Sequence, residues 1–126
     1  MADADIIYTD MWLALTEKEN PPMDRIRKLY PYRVDEKIMN LCDENAIFMH
    51  CLPAFHDKNS NLAKKVLKKL PDDMKDWDFD GMEVASSVFK SEKSTIFDQT
   101  ENRIPAVKAI LYSTLRHDPV LDLKLI

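Results

Sequence analysis

Three short segments predicted as strands alternate with helical patterns, and this alternation constrains the fold more than any other feature of the chain. The segments cover residues 6–8, 46–52 and 94–97, and the first two are largely apolar, as is typical of buried strands. Strands that alternate with helices predict a parallel sheet with helices packed on its faces. We therefore predict an α/β fold, a three-layer, partial doubly wound parallel sheet of about three strands with flanking helices.

The intervening segments show the spacing of amphipathic helices. The first helix is predicted around Ile26, Leu29 and Tyr30, and the second over residues 35–41 with Ile38 and Leu41 facing inward. A third helix is predicted after a cap at Asn59 or Ser60, and its apolar stripe consists of Leu62, Val66, Leu67 and Leu70. Two more helices are predicted over residues 83–89 and 104–115. Pro105 suits the first turn of the last helix, where its missing N–H costs nothing. Its expected buried side carries Val107, Ile110, Leu111 and Thr114.

Composition excludes several classes of protein. Apolar residues make up 45% of the 126 residues and charged residues 32%, so the chain predicts one small globular domain. No apolar run approaches the roughly 20 residues that cross a bilayer. The net charge of −4 argues against nucleic acid, which requires a basic surface. Two cysteines are too few for a disulfide framework, and the acidic N-terminus lacks a signal peptide, so we expect a reduced, cytoplasmic protein without a membrane partner.

Glycine is nearly absent from the chain. The single glycine is Gly81. Loops that cradle phosphate groups need glycine so that the backbone can approach the anion closely. If the function uses a phosphate substrate, another polypeptide segment is expected to hold most of it.

Residues 50–57 carry the densest group of chemically active side chains: His-Cys-Leu-Pro-Ala-Phe-His-Asp. They follow the second predicted strand, and ligands of open α/β sheets bind at the carboxyl ends of strands. Taken alone, Cys51 at a strand end has a simpler interpretation, as a small buried apolar residue. A zinc site formed by His50, Cys51 and His56 is disfavoured because the spacing differs from that of usual ligand pairs.

Three segments in order resemble the ornithine carbamoyltransferase family. They are Asp10-Met11-Trp12, the run at residues 50–57, and Phe97-Asp98-Gln99-Thr100-Glu101-Asn102-Arg103, with further likeness at residues 81–84 and 88–91. The resemblance extends over nearly the whole chain. It implies the C-terminal portion of the amino-acid-binding domain, residues 1–126, without the carbamoyl-phosphate-binding domain, because neither a Ser-Thr-Arg-Thr loop nor a His-Pro-x-Gln segment occurs.

The resemblance implies a role for each matched residue. The family reaction transfers the carbamoyl group of carbamoyl phosphate to the side-chain amine of ornithine, giving citrulline and phosphate. Asp10 would hold the ammonium group, and Cys51 would lie beside the attacking nitrogen and accept a hydrogen bond or a proton. The Leu52 carbonyl would add an acceptor, and His50 would be a hydrogen-bonded positioning residue. Arg103 would reach carbamoyl phosphate, because a guanidinium group suits its oxygens.

One segment departs from the family pattern. Where the family has a Ser-Met-Gly triplet that closes over ornithine, this chain has Ala14, Leu15 and Thr16. Ala14 lacks the hydroxyl that would bind the polar end of the amino acid, and Thr16 lacks the backbone freedom of glycine. Another amine, such as putrescine, is therefore an alternative substrate.

Two hypotheses follow from this pattern. In the first, the chain keeps half of the amino-acid site and is inactive alone, with a complementary N-terminal carbamoyltransferase fragment as its partner. In the second, it is a non-catalytic remnant or interaction module. Under both hypotheses we expect no cofactor and no metal. We also expect Cys42 and Trp12 to be packing residues. The lysines at residues 64–69 should form a solvated helix face, and the acidic run 72–80 should be a surface loop.

Overall fold

The computed structural model describes residues 3–13, 23–59 and 61–116. Two strands and five helices occur in these ranges. They are β1 (Ile6–Thr9), α1 (Met23–Leu29), α2 (Glu36–Met39), β2 (Ile47–His50), α3 (Asn61–Lys68), α4 (Ser86–Phe89) and α5 (Ile96–Arg116). Short 3-10 turns cover Tyr30–Tyr32 and Asp72–Met74. The α/β class predicted from the sequence is confirmed.

The described sheet contains two parallel strands. β1 pairs with β2 in the register Ile6–Ile47 through Thr9–His50. The predicted third strand at residues 94–97 is wrong as a strand, because only Ser94 forms a bridge, to Phe48. Two backbone hydrogen bonds hold this segment to β2: the Phe48 N–H donates to Lys93 (2.8 Å) and the Thr95 N–H to Phe48 (2.9 Å). Helix α5 begins at Ile96, so the backbone from this residue onward is helical and does not extend the sheet.

The first three helices largely follow their predictions. Ile26 is the buried residue of α1. Asp35 caps α2, since its side chain accepts from the Ile38 N–H at 3.0 Å. Leu41, predicted to face inward, is exposed because α2 ends at Met39, which takes the buried position. In α3, Val66 is buried and Leu67 and Leu70 pack on the core, whereas the side chains of Leu62 and the residue Ser60 lie outside the described part. The lysines at 64, 65, 68 and 69 are exposed, as expected for a solvated face.

The helix predicted over residues 83–89 is wrong in its first half. Val84 forms a parallel bridge with Val34, closed by hydrogen bonds from the Val34 N–H to Glu83 (3.0 Å) and from the Ala85 N–H to Val34 (2.9 Å). The backbone of Glu83 and Val84 is thereby held extended. Helix α4 begins only at Ser86.

The last helix is longer and more exposed than predicted. It spans 21 residues, and Pro105 lies inside it rather than in its first turn. A proline removes the hydrogen bond to the carbonyl four residues earlier, here Glu101, which is solvent-exposed and has access to water. The expected buried side is also wrong, because Val107, Ile110, Leu111 and Thr114 are all exposed.

Two groups of buried side chains form the core. One joins Trp12 and Leu13 to α1, α3 and the 74–82 segment; its members are Trp12, Leu13, Ile26, Phe55, Ala63, Val66, Met74, Phe79 and Met82. The other lies around β2 and α4; its members are Val34, Met39, Phe48, Val84, Ala85, Val88, Phe89 and Ile96. Both belong to the first of two compact units, which ends at Ile96; the second begins at Phe97.

Candidate active site

Asp10 and Cys51 meet at the carboxyl end of the two parallel strands. Thr9 and His50 are paired in the ladder, so the next residue of each strand leaves the sheet at the same level. Sγ of Cys51 lies 2.7 Å from Oδ1 of Asp10 and donates to it. The same oxygen accepts from the Met11 N–H at 2.7 Å, which fixes the carboxylate. The structure thus brings together the two residues predicted to be catalytic.

The hydrogen bond between these side chains moves their pKa values in opposite directions. The pKa of Asp10 is lowered, chiefly by the hydrogen bond from Cys51 and then by the Met11 N–H. The pKa of Cys51 is raised by burial and then by its bond to the Asp10 carboxylate. At neutral pH the pair therefore consists of a carboxylate and a protonated thiol. Such a pair offers a negative charge and a sulfur lone pair to an incoming ammonium group.

His50 lies on the buried side of the strand end and contacts Glu83. Its side chain is 0% exposed and that of Glu83 is 1% exposed, with Nε2 of His50 3.3 Å from Oε1 of Glu83. Nδ1 of His50 faces the Cys51 carbonyl, so this nitrogen carries the proton and donates. Burial lowers the pKa of His50, but the contact with Glu83 and the Cys51 carbonyl outweigh burial, and the pKa is raised. His50 therefore holds the Cys51 backbone from inside, consistent with a positioning residue.

Glu83 belongs to this cluster although the sequence did not predict it. Its Oε1 also accepts from the Phe55 N–H, and its Oε2 has no hydrogen-bond partner among the described residues. The carboxylate thus links the end of β2 to the loop that follows it. The signal in the sequence was one acidic residue between apolar neighbours, Met82 and Val84, which are both 0% exposed.

Gly81 sets the path of the chain into Glu83. Its φ is +92°, a conformation that side chains other than glycine rarely adopt. A Cβ atom at this position would lie 1.9 Å from the Val84 carbonyl oxygen and 3.2 Å from that of His56. The only glycine of the sequence is therefore required by a turn beside the site rather than by a phosphate loop.

The remaining predicted site residues are Leu52, Ala14, Leu15 and Arg103. Leu52 follows β2 at 41% exposure, and the peptide bond between Leu52 and Pro53 is cis. Ala14 and Leu15 lie outside the described residues. Arg103 is exposed on α5, in the second unit. The roles given to these four residues stay predictions.

Comparison with known proteins assigns the chain to a family. The model of the aspartate/ornithine carbamoyltransferase family, Asp/Orn binding domain, matches residues 1–114. The chain belongs to this family. It is 43% identical over 112 residues to an ornithine carbamoyltransferase of Borreliella burgdorferi, a match covering 89% of this chain and 32% of that protein. A catabolic ornithine carbamoyltransferase of Treponema denticola is 40% identical over 114 residues, covering 89% and 31%.

Solved ornithine carbamoyltransferases share the fold. The anabolic enzyme from Campylobacter jejuni superposes with a TM-score of 0.67 at 26% identity, over 93% of this chain and 30% of that one. The enzyme from Pyrococcus furiosus gives 0.61 at 31% identity, over 87% and 27%. The chain therefore spans about a third of the length of these carbamoyltransferases.

Two further classes of feature do not occur in the described part of this carbamoyltransferase-family chain. Among residues 3–13, 23–59 and 61–116, no group of three or more histidine, cysteine, aspartate or glutamate side chains is arranged to hold a metal ion. No described helix has both the length and the apolar character needed to span a membrane.

Proposed function

We propose that the chain is the C-terminal portion of an amino-acid-binding carbamoyltransferase domain and supplies part of the site for the amine. The reaction would be carbamoyl transfer from carbamoyl phosphate to the ornithine side-chain amine, giving citrulline and phosphate. The observation that carries this proposal is the 2.7 Å contact between Cys51 and Asp10 at the carboxyl edge of the sheet. It places a carboxylate and a thiol where parallel α/β sheets bind ligands.

The Asp10–Cys51 pair suits an amine that must lose a proton before it attacks. The Asp10 carboxylate, with its lowered pKa, stays charged at neutral pH and holds the ammonium form. The protonated Cys51 thiol cannot accept a proton in its resting state, but its sulfur accepts an N–H hydrogen bond and orients the nitrogen. In the reaction the ammonium first gives one proton to water, and the neutral nitrogen then bonds to the carbonyl carbon. The bond from that carbon to the phosphate oxygen breaks and phosphate leaves, while the nitrogen gives its second proton to water or to the departing phosphate.

The buried His50–Glu83 contact supports the same assignment. A site that orients a nitrogen atom needs its own atoms fixed to within about half an ångström. Nδ1 of His50 donates to the carbonyl of Cys51. Glu83 contacts Nε2 of His50 and accepts a hydrogen bond from the Phe55 N–H. The thiol is therefore carried on a backbone fixed from the interior.

The phosphate end of the substrate would be bound by another polypeptide segment. The 126 residues contain one glycine and no Ser-Thr-Arg-Thr or His-Pro-x-Gln segment. Arg103 is proposed to contribute one guanidinium group to carbamoyl phosphate. We therefore propose that the chain is inactive by itself and acts with a complementary carbamoyltransferase fragment.

A different amine is the second candidate substrate. Ala14 stands where a serine hydroxyl would bind the polar end of an amino acid. A diamine such as putrescine has no carboxylate and does not need that hydroxyl. Asp10 and Cys51 would treat its ammonium group as they treat that of ornithine.

Reconstitution tests both proposals. The chain is mixed with the part of the Borreliella burgdorferi enzyme that it does not match, and carbamoylated product is measured with ornithine and with putrescine. We expect product from the mixture and from neither part alone. Cys51→Ala and Asp10→Asn should abolish the gain, whereas Cys42→Ala should keep it, since Cys42 only donates to the Ile38 carbonyl at 3.3 Å. Product from the chain alone refutes the proposed inactivity, and a stable but inactive complex favours the non-catalytic remnant.

A further inference from the structure

The loop after β2 is fixed to α4 by an aromatic contact of His56. The imidazole ring of His56 lies face to face with the ring of Phe89, with centroids 3.8 Å apart and planes 8° from parallel. Phe89 is 6% exposed and is the last residue of α4. The two rings are therefore in van der Waals contact over their faces, and the half-buried His56 covers one side of a core residue.

Backbone contacts join the same loop to the segment that leads into α4. The Met82 N–H donates to the Phe55 carbonyl at 2.7 Å. The His56 carbonyl oxygen would lie 3.2 Å from a Cβ atom at Gly81, so the two backbones pass close to each other. These contacts attach residues 55 and 56 to the interior, and only three residues separate this attachment from Cys51.

We propose that His56 is a positioning residue for the amine site. Its stack on Phe89 anchors the far end of the loop whose near end carries the Cys51 thiol and the Leu52 carbonyl. A loop that is fixed at both ends has fewer conformations, so the thiol stays beside Asp10 and the carbonyl keeps one direction before the amine arrives. This role toward the amine rests on the proposed carbamoyl transfer, whereas the effect on Cys51 is independent of any substrate.

The ring of His56, rather than its nitrogen atoms, carries this contact. Nδ1 lies 3.3 Å from the Ala54 carbonyl oxygen, which is long for a hydrogen bond, and Ala54 belongs to the same loop. That contact cannot attach the loop to α4. The stack on Phe89 can, because the Phe89 N–H donates to the Ala85 carbonyl at 3.0 Å and so holds Phe89 in the helix. A flat apolar ring in place of the imidazole should therefore keep the loop anchored.

Alkylation of Cys51 by iodoacetamide tests the anchor without substrate. In the full chain carrying Cys42→Ser, His56→Ala should make the reaction at about pH 8 several-fold faster, because a thiol that can leave the Asp10 carboxylate ionises more readily. His56→Phe should keep the parent rate. Val66→Ala truncates a residue that is buried in α3 and controls for a general loss of stability, so it should leave the rate unchanged. Urea unfolding measures how far each variant is destabilised.

Steady-state kinetics of the reconstituted mixture give the second readout. His56→Ala should raise KM for the amine by about tenfold and leave KM for carbamoyl phosphate nearly unchanged, since the loop is proposed to contact the amine only. His56→Phe should keep KM for the amine at the parent value. Val66→Ala should change neither KM.

The two readouts separate the role of His56 from the proposed transfer. An alkylation rate that is the same in His56→Ala as in the parent overturns the positioning role. So does a His56→Phe chain that reacts as fast as His56→Ala, or a Val66→Ala chain that does so, since lost stability would then explain the effect. An unchanged KM for the amine in an active His56→Ala mixture overturns it as well. If the parent mixture forms no product, the proposed transfer is refuted instead, and the alkylation rates still decide whether His56 anchors Cys51.

Discussion

Asp10 and Cys51 leave the parallel sheet at the same level, and Sγ of Cys51 lies 2.7 Å from Oδ1 of Asp10. Forty-one positions separate them in the sequence, and the strand register alone places them side by side. Because the carboxylate accepts a hydrogen bond from the thiol, each side chain shifts the pKa of the other. This coupling can be measured without substrate.

The first prediction concerns the reactivity of Cys51. In a Cys42→Ser background, Asp10→Asn should lower the pKa of Cys51, because the neutral amide no longer opposes the thiolate. Alkylation by iodoacetamide at about pH 8 should become several-fold faster, since only the thiolate reacts. Asp5→Asn, which removes the same charge near the other end of β1, is the control. An unchanged rate profile in Asp10→Asn would show that the two side chains are not coupled in solution.

The second prediction concerns the pH dependence of stability through His50. Its pKa is raised in the folded chain, so the folded state binds the proton more tightly than the unfolded state does. This contribution is fully present below the unfolded pKa of about 6.5 and is lost as the pH rises through the folded pKa. Urea unfolding should therefore give a free energy of unfolding that falls with pH across this window.

Glu83→Gln provides the matched variant for this test. The amide oxygen can still accept from the Phe55 N–H, but the negative charge beside His50 is gone. The variant removes the charge of Glu83 that raises the pKa of His50, while burial still lowers this pKa, so stability should fall less steeply with pH than in the parent. A slope that is the same in both proteins would contradict the assigned contact.

The third prediction concerns Gly81. Gly81→Ala should destabilise the fold by about 2 kcal/mol or more, because it combines a positive φ with a clash against the Val84 carbonyl. Thermal or urea unfolding measures the change. Ser87→Ala, at an exposed position of α4, should alter stability by no more than about 0.5 kcal/mol. A fully stable Gly81→Ala chain would mean that the turn has another conformation.

The fourth prediction concerns the outer edge of β1. Ile6 and Tyr8 are each 54% exposed, and within the described sheet β1 pairs with β2 alone. Such an edge is a template for strand association. Tyr8→Lys should slow the growth of large aggregates several-fold, followed by light scattering at 37 °C, and Tyr32→Lys at a 70% exposed turn position should not. Equal aggregation of the two variants would place the association elsewhere.

The sequence predicted elements where periodicity and local chemistry agree. β1, β2 and α3 were found from apolar runs and stripes, and Asp35 was a recognisable start for a helix. Asp10 and Cys51 follow two predicted strands, and the structure brings their side chains together because the carboxyl ends of neighbouring parallel strands must meet. These are short-range rules combined with one property of the parallel sheet.

Tertiary pairing decided the segments that were predicted wrongly. Ser94 has a strand-like neighbourhood, but only one bridge to Phe48 is available before α5 begins. Glu83 has helical spacing with the residues after it, yet the bridge between Val34 and Val84 keeps it extended. Pro105 was predicted in the first turn of a helix, where proline is common. It lies inside α5 instead, because the carbonyl of Glu101 is exposed to solvent and tolerates the loss of the proline N–H. None of these contacts is encoded within a single window of sequence.

The alternation of side chains at the end of β2 has a consequence for how this region can vary. His50 points into the core and Cys51 points toward the Asp10 carboxylate, although they are adjacent in the chain. Replacing His50 or Glu83 disturbs folding, because both are buried and joined to the backbone of the next loop. Cys51 is half-buried and Asp10 is exposed, so replacing either should disturb the interior less. A designer could therefore vary the chemistry of this edge one residue at a time while the neighbouring residue keeps the scaffold in place.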